Sequence, residues 1–286
     1  MAEARVIHTV AELRAALGAT QPGLVPTMGA LHEGHQALIR RSAAENEATV
    51  MTLFVNPTQF NDPSDFARYP RTLERDALLA GEAGADIVYA PDASRIYPEG
   101  FSTTVTVAGL TDRWEGAARP GHFAGVATVV AILHGSVRPA RSYFGEKDYQ
   151  QLQVIRRMHR DLLLPGEIVG CPTIRDPDGL AMSSRNARLS PRARARAAVI
   201  PRALAAMAAL ARDGEQSAAV LVEAGQAAMS AVREAAIDYL AIVDPATLEP
   251  VDAVGREARA IAAVVLDGVR LLDNAAIGPG IPPWDC

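Results

Sequence analysis

Leu24-Val-Pro-Thr-Met-Gly-Ala-Leu-His-Glu-Gly-His35, followed by Thr49-Val-Met-Thr-Leu-Phe-Val55, decides the fold. A short strand over Leu24 to Pro26 breaks at Thr27-Met28-Gly29, an amphipathic stretch from about Glu33 to Asn46 has helical spacing, and Thr49 to Val55 is an unbroken β-rich run. Strand, crossover helix and parallel strand make one βαβ unit. Reading outward, the pattern predicts a helix from about Thr72 to Glu82, a strand over Asp86 to Ala90, and another over the Thr/Val alternation of Ser102 to Val107. It then predicts an apolar helix from Phe123 to about Ser136, a strand over Ser142 to Phe144, a helix over Gln151 to Asp161 and a strand near Ile168.

Between Arg175 and Arg188 the chain becomes a polar loop containing Gly and Pro. Beyond it come two Ala-rich helices and Val/Ile-rich segments at Tyr239 to Val243 and Ala260 to Leu266. Asp267-Gly268 between apolar runs is a hairpin signal. The expected organisation is an α/β domain with a parallel sheet over residues 1–175 and a smaller α+β domain over 176–286.

The 286 residues are 49% hydrophobic with mixed charge, the balance of a globular chain. The start, MAEARVIHTV, lacks the basic-then-apolar layout of a signal peptide, and no apolar run is long enough to span a bilayer, so a cytoplasmic location is expected. The net charge of -5 gives no global attraction to nucleic acid and favours small anionic ligands held locally. Cys171 and Cys286 are far apart and read as buried or incidental thiols. Lys147 is the only lysine in the chain, the other 27 of its 28 Lys and Arg residues being Arg. A site that wants a compact ammonium on a thin stem explains that exception; chance retention is the alternative.

The Val25 to His35 segment sits where a strand ends and its helix begins, the place where open α/β sheets bind ligands. Free N–H groups of the first helical turn favour an anion there. His32 and His35 project from one side of that turn and can donate to phosphate oxygens. A zinc pair and two merely exposed histidines are the competing readings. Asn56 and Gln59 follow the second strand, two uncharged amides able to read a hydroxy acid, or else a polar turn capping a strand. Phe144-Gly-Glu-Lys-Asp-Tyr-Gln-Gln151 repeats the strand-to-helix arrangement, with Lys147 suited to triphosphate oxygens and Asp148 to a ribose hydroxyl or a metal ion. Asp178-Gly-Leu-Ala-Met-Ser-Ser-Arg-Asn186 can close over phosphates as a lid, or serve as a linker cap.

Together with Arg119-Pro-Gly-His-Phe-Ala-Gly-Val-Ala-Thr-Val-Val130, Asp238-Tyr-Leu and Asp244-Pro-Ala-Thr-Leu248, these segments resemble the pantothenate synthetase (pantoate–β-alanine ligase) family of the HIGH-motif nucleotidyltransferase superfamily. The resemblance extends over the chain. It implies a Rossmann-like parallel-sheet domain with a smaller α+β C-terminal domain, and an ATP-dependent ligase that condenses pantoate with β-alanine through a pantoyl-adenylate. It implies ATP contacts from Met28, Gly29, Ala30, Leu31, His32, Glu33, Gly34 and His35. Further ATP contacts are implied from Gly145, Glu146, Lys147 and Asp148, from Ile174, and from Met182, Ser183, Ser184 and Arg185. Pantoate is implied at Gln59 and Gln151, β-alanine at Gln59 with Asn56, and catalytic roles at His35, His32 and Lys147. It also implies Mg²⁺ with ATP, its protein ligands unassigned, and a homodimer with no nucleic-acid or membrane partner. Ile132, His134-Gly135 and Ala140 depart from the family's commoner residues, outside those motifs. A nucleotidyltransferase acting on a phosphorylated acceptor, a tRNA-charging enzyme and a non-catalytic nucleotide sensor are the rival readings.

Overall fold

Gly23–Thr27 forms a strand (β2) because its Leu24 and Val25 are fully buried and the residues on either side are turn formers. The computed structural model describes residues 4–61 and 63–282. Before β2, where no element was expected, lie a short strand Arg5–Ile7 (β1) and a helix Val10–Leu17 (α1). Helix α1 opens on a capping box in which Thr9 and Glu12 each satisfy the other's backbone N–H.

After β2 come helix Glu33–Glu45 (α2), strand Thr49–Leu53 (β3), helices Pro63–Arg68 (α3) and Leu73–Glu82 (α4), and strand Ile87–Tyr89 (β4). Short helices Ala93–Ile96 (α5) and Glu115–Ala118 (α6) precede the long apolar helix His122–Val137 (α7). Strand Arg141–Gly145 (β5), helix Tyr149–Asp161 (α8) and strand Glu167–Cys171 (β6) complete the first half. All six strands are parallel, in the order β1-β4-β3-β2-β5-β6. The order reverses at β2 and β5, so the crevice beyond their carboxyl ends is the switch point where such sheets bind ligands. This is a Rossmann-like sheet.

The strand expected over Ser102 to Val107 does not form; that segment is irregular. Among the described residues its alternation pairs with no strand. Ser102 to Thr104 face solvent, and the Val105 N–H is taken by the hydroxyl of Thr128 on α7 at 2.9 Å. Alternation alone, without a ladder partner, does not make a strand.

Among its described residues the C-terminal region carries three α-helices where two were expected, Pro191–Ala197 (α9), Val199–Arg212 (α10) and Ala218–Met229 (α11). They pack on an antiparallel sheet of Ala236–Val243 (β7), Ala258–Leu266 (β8) and Val269–Ile277 (β9). The β8–β9 turn is Asp267-Gly268, both at positive φ (55° and 71°), which a two-residue hairpin matched to strand twist demands. Leu204, Met207 and Leu221 are fully buried against β7 to β9; truncating one such side chain to Ala costs about 2–5 kcal/mol.

Packing divides the described residues into two compact units. One runs to Glu146 and resumes at Gln150–Pro172; the other holds Lys147–Tyr149 and the chain from Thr173. The first has its own core, around Val25, Ile39, Met51, Val88 and Tyr143. Cys171 is a free, buried thiol whose pKa burial pushes up, and Cys286 lies outside the described residues. Among the described residues no helix is long and apolar enough to cross a membrane.

Candidate active site

At the carboxyl end of β2 the chain turns through Gly29 (φ 85°) and Ala30 (φ 53°) before Leu31 buries and His32 caps α2. The carboxylate of Asp76, on α4, holds the turn by accepting the N–H groups of Ala30 and Leu31, each at 2.9 Å. His32 Nδ1 accepts the N–H of Gly34 at 3.1 Å, and His35 Nδ1 accepts that of His32 at 3.4 Å. The two imidazoles thus form a capping box of their own, with ring centroids 4.0 Å apart. Each Nδ1 being an acceptor, the neutral rings carry their proton on Nε2. The sequence expectation that the pair projects together is met, and the geometry adds the tautomer. Glu33 turns away along the helix surface to a two-pronged pair with Arg40, whose hydrogen bonds hold its carboxyl below the usual carboxylate range. Among the described residues, no group of three or more His, Cys, Asp or Glu side chains is arranged to hold a metal ion.

After β3, Asn56 caps a short 3-10 turn over Pro57–Gln59. Asn56 is only 1% exposed, and its amide donates to Gln59 Oε1 and to the carbonyl of Gly125, both at 3.1 Å. Its Oδ1 accepts from the Tyr97 hydroxyl at 2.7 Å and from Thr58. Asn56 therefore orients Gln59, with both of its own donors engaged. Gln59 Nε2 in turn lies 2.9 Å from Met28 Sδ, which ties the amide pair to the histidine turn.

The Gln59 backbone is clamped as well. Its carbonyl accepts from Arg119 at 3.1 Å and from His122 Nδ1 at 2.9 Å, so His122 Nε2 is the acceptor for the other arm of Arg119. Helix α7 comes so close that a Cβ on Gly125 would stand 2.5 Å from the Thr58 carbonyl oxygen. Arg119, His122 and Gly125 belong to a segment quoted above for resemblance with no role assigned. Nothing in sequence spacing shows that they grip the Gln59 turn.

Gly145 ends β5 and Glu146 begins a 3-10 turn through Lys147 and Asp148. On α8, Gln151 is half-buried, whereas the adjacent Gln150 is buried and spans the loop before α6, accepting from the Glu115 N–H and donating to Leu110 and Arg113.

In the C-terminal unit, the stretch expected to be a loop is a small hairpin in which Ile174 O accepts from Met182 and Arg175 pairs with Ala181. Arg175 forks onto both oxygens of Asp273 at 2.7 and 2.9 Å. Ser183 caps the following 3-10 turn over Ser184–Arg188 by accepting the Arg185 N–H at 3.2 Å. Lys147, Ser183, Arg185 and Asn186 line one pocket of this unit, together with Arg270 and Asp273. The lone lysine and the serine-rich segment, named independently from sequence, are thus brought together. Lys147 Nζ stands 3.7 Å from Asp148 Oδ1.

The sequence profile of pantoate-beta-alanine ligase matches residues 5–276. The chain is 55% identical to pantothenate synthetase of Thermus thermophilus over 96% of its own length and 100% of the relative's. It is 50% identical to that of Cereibacter sphaeroides, over 95% of the chain and 99% of the relative. The crystal structure of the Thermus enzyme superposes with a TM-score of 0.93 at 54% identity, covering 96% of this chain and all of that one. A Francisella tularensis pantoate-beta-alanine ligase, complexed with beta-gamma ATP and beta-alanine, gives a TM-score of 0.77 at 30% identity, over 95% of this chain and 97% of that one.

Proposed function

The chain belongs to the pantoate–β-alanine ligase family, and from that premise we infer that it condenses pantoate with β-alanine to pantothenate at the expense of ATP. It is a carbon–nitrogen ligase that releases AMP and pyrophosphate through a pantoyl-adenylate. The observation that carries the reading is the histidine turn. Two imidazoles with Nδ1 engaged in the cap and the proton on Nε2 stand at a helix N-terminus beyond the carboxyl end of β2, a donor set suited to phosphate oxygens.

In the first half-reaction the pantoate carboxylate attacks the α-phosphorus and pyrophosphate leaves. In the second, the β-alanine amine attacks the acyl carbon, AMP leaves and the amine gives up a proton. Both steps call for positioning and for stabilisation of charge on the leaving oxygens. No covalent intermediate on the protein is required.

ATP is assigned to the turn from Met28 to His35, to Gly145, Glu146, Lys147 and Asp148, to the backbone at Ile174, and to Met182, Ser183, Ser184 and Arg185. His35 and His32 donate to phosphate as charge moves onto the pyrophosphate, and Lys147 supplies the compact cation. Pantoate is assigned to Gln59 and Gln151, whose neutral amides suit a hydroxy acid better than a phosphorylated acceptor. β-Alanine is assigned beside Gln59, with Asn56 fixing that side chain from behind. Mg²⁺ is taken to arrive with ATP, held mainly by phosphate and water oxygens. The first half of the chain is assigned the substrates and the C-terminal half the closing loop. A homodimer in the cytoplasm, acting on small molecules rather than nucleic acid or membrane, completes the proposal.

Pyrophosphate release tests it. With ATP and pantoate alone, one equivalent per site is expected, and β-alanine should convert this to steady turnover. ATP binding without pantoate-dependent pyrophosphate would favour a nucleotide sensor and overturn the reading.

A further inference from the structure

Lys147, Asp148 and Tyr149 pack with the C-terminal unit although the residues on both sides of them pack with the first. Two side chains of the antiparallel sheet hold them there. Asn274 on β9 donates from Nδ2 to the carbonyl oxygen of Lys147 at 2.9 Å, across 127 residues of sequence. Its Oδ1 accepts from Nε of Arg259, on β8, at 2.8 Å. The Arg259 guanidinium lies over the ring of Tyr149, 4.0 Å from its centroid, and the Tyr149 hydroxyl donates to Pro245 O at 3.1 Å.

The direction of this relay is fixed by chemistry. Arg259 can only donate, so the oxygen of the Asn274 amide must face it and the NH₂ must face Lys147. Arg259 and Asn274 are 7% and 4% exposed, which makes their hydrogen bonds costly to lose. An interior guanidinium is an expensive way merely to fill space. Here it orients an amide whose other end terminates on the backbone of the chain's only lysine. The Lys147 side chain is 16% exposed and lines the pocket with Ser183 and Arg185. A flexible stem delivers its ammonium only where its backbone is anchored.

We propose that Asn274, oriented by Arg259, is a positioning residue for Lys147, setting the backbone from which the ammonium reaches the nucleotide phosphates. The proposal rests on the reading of Lys147 as a phosphate contact. It predicts that Asn274 matters to substrate only through Lys147.

A double-mutant cycle tests this on the full chain. Asn274→Asp keeps the acceptor for Arg259 but sets oxygen against oxygen at Lys147; Lys147→Met removes the ammonium. Each variant and the pair are read by single-turnover pantoyl-adenylate formation and by equilibrium binding of a non-hydrolysable ATP analogue, which needs no turnover. Asn274→Asp is expected to lower the rate about tenfold or more and to weaken analogue binding. In the Lys147→Met background it should change either by less than about twofold. Asn274→Ser, which withdraws the donor without adding charge, goes through the same cycle and covers a folding failure of the first variant. Equal factors in both backgrounds would overturn the positioning role and leave Lys147 as assigned. A Lys147→Met enzyme with wild-type rate and binding would instead remove the assignment of Lys147, and the positioning role with it.

Discussion

Asp76 accepts the backbone N–H of Ala30 at 2.9 Å from 46 residues away in sequence. Its other oxygen takes the N–H of Leu31, and the Thr72 hydroxyl donates to the carboxylate as well. Ala30 sits at φ 53°, a left-handed conformation that costs an L-residue about 1–2 kcal/mol. A buried carboxylate bonded to both amides offsets that cost and delivers His32 to the helix cap. Asp76→Asn turns an NH₂ toward one of the two N–H donors. Denaturation in urea should show a loss of about 1–3 kcal/mol, and adenylate formation should fall about tenfold or more as the histidine turn loosens. An unchanged rate in the destabilised protein would show that the turn keeps its shape without the carboxylate.

His35 has two separable tasks, because its Nδ1 closes the cap and its Nε2 carries the donor proton. An Asn amide reaches the position of Nδ1, and a Gln amide that of Nε2. His35→Asn should therefore keep stability within about 0.5 kcal/mol while adenylate formation falls by about tenfold or more. His35→Gln should retain more of the rate while losing part of a cap worth about 0.5–2 kcal/mol. Equal rates for the two variants would mean that the Nε2 proton is not what phosphate uses. His35→Ala lacks both groups, and a rate within about threefold of wild type, roughly 0.7 kcal/mol, would remove the residue from the mechanism.

His134 is buried on α7 with Nε2 lacking a hydrogen-bond partner, its ring centroid 5.1 Å from that of His159. Burial, and secondarily the charge of His159, lowers its pKa from 6.5 to about 4. The unfolded chain takes up this proton near pH 6.5 and the folded one only near 4, so the unfolded state binds more protons between them. Stability falls as pH drops through that window, by on the order of 3 kcal/mol in full. His134→Leu removes this dependence, so the variant's advantage in unfolding free energy should widen from about pH 7 to about pH 4.5. Carboxylates titrate equally in both proteins and cancel. A gap independent of pH would show that the folded protein takes up the His134 proton as readily as the unfolded chain does.

Strand ends and turns were legible in sequence because their chemistry is local. Thr27-Met28-Gly29, Asn56-Pro57 and Asp267-Gly268 each carry the residues their backbone requires, and the polar Asp178 to Asn186 stretch stood out between apolar elements. Lys147 was legible for a different reason, as an exception in a chain that otherwise uses Arg. What escaped is the support behind those residues. Asp76 reads as an ordinary acidic residue in the first turn of a helix, and Asn274 as a polar residue in a strand. Each acquires its meaning from a partner distant in sequence, at Ala30 or at Lys147. Tyr97 and His122, which fix Asn56 and the Gln59 carbonyl, were hidden in the same way. The Ser102 to Val107 error has the converse origin, since period-two alternation specifies a strand only where another strand is available to pair.

The ion pair of Arg175 with Asp273 joins the hairpin before Met182 to β9, and Arg175 also donates to the Gly179 carbonyl inside that hairpin. The Asp273 side chain is 1% exposed and that of Arg175 13%, so Asp273→Ala strands a guanidinium beside a cavity. A loss of about 3–5 kcal/mol is expected in unfolding of the C-terminal unit. Replacing both partners, Arg175→Met with Asp273→Leu, should restore most of that stability, because two charges no longer need desolvation. Activity should not return with it. The planar fork sets the direction in which the chain leaves the hairpin for Ser183, Ser184 and Arg185, and apolar side chains fill the volume without setting that direction. Measured together, calorimetry and adenylate formation separate the two effects. Full recovery of both would mean that the pair stabilises the unit without orienting the serine turn.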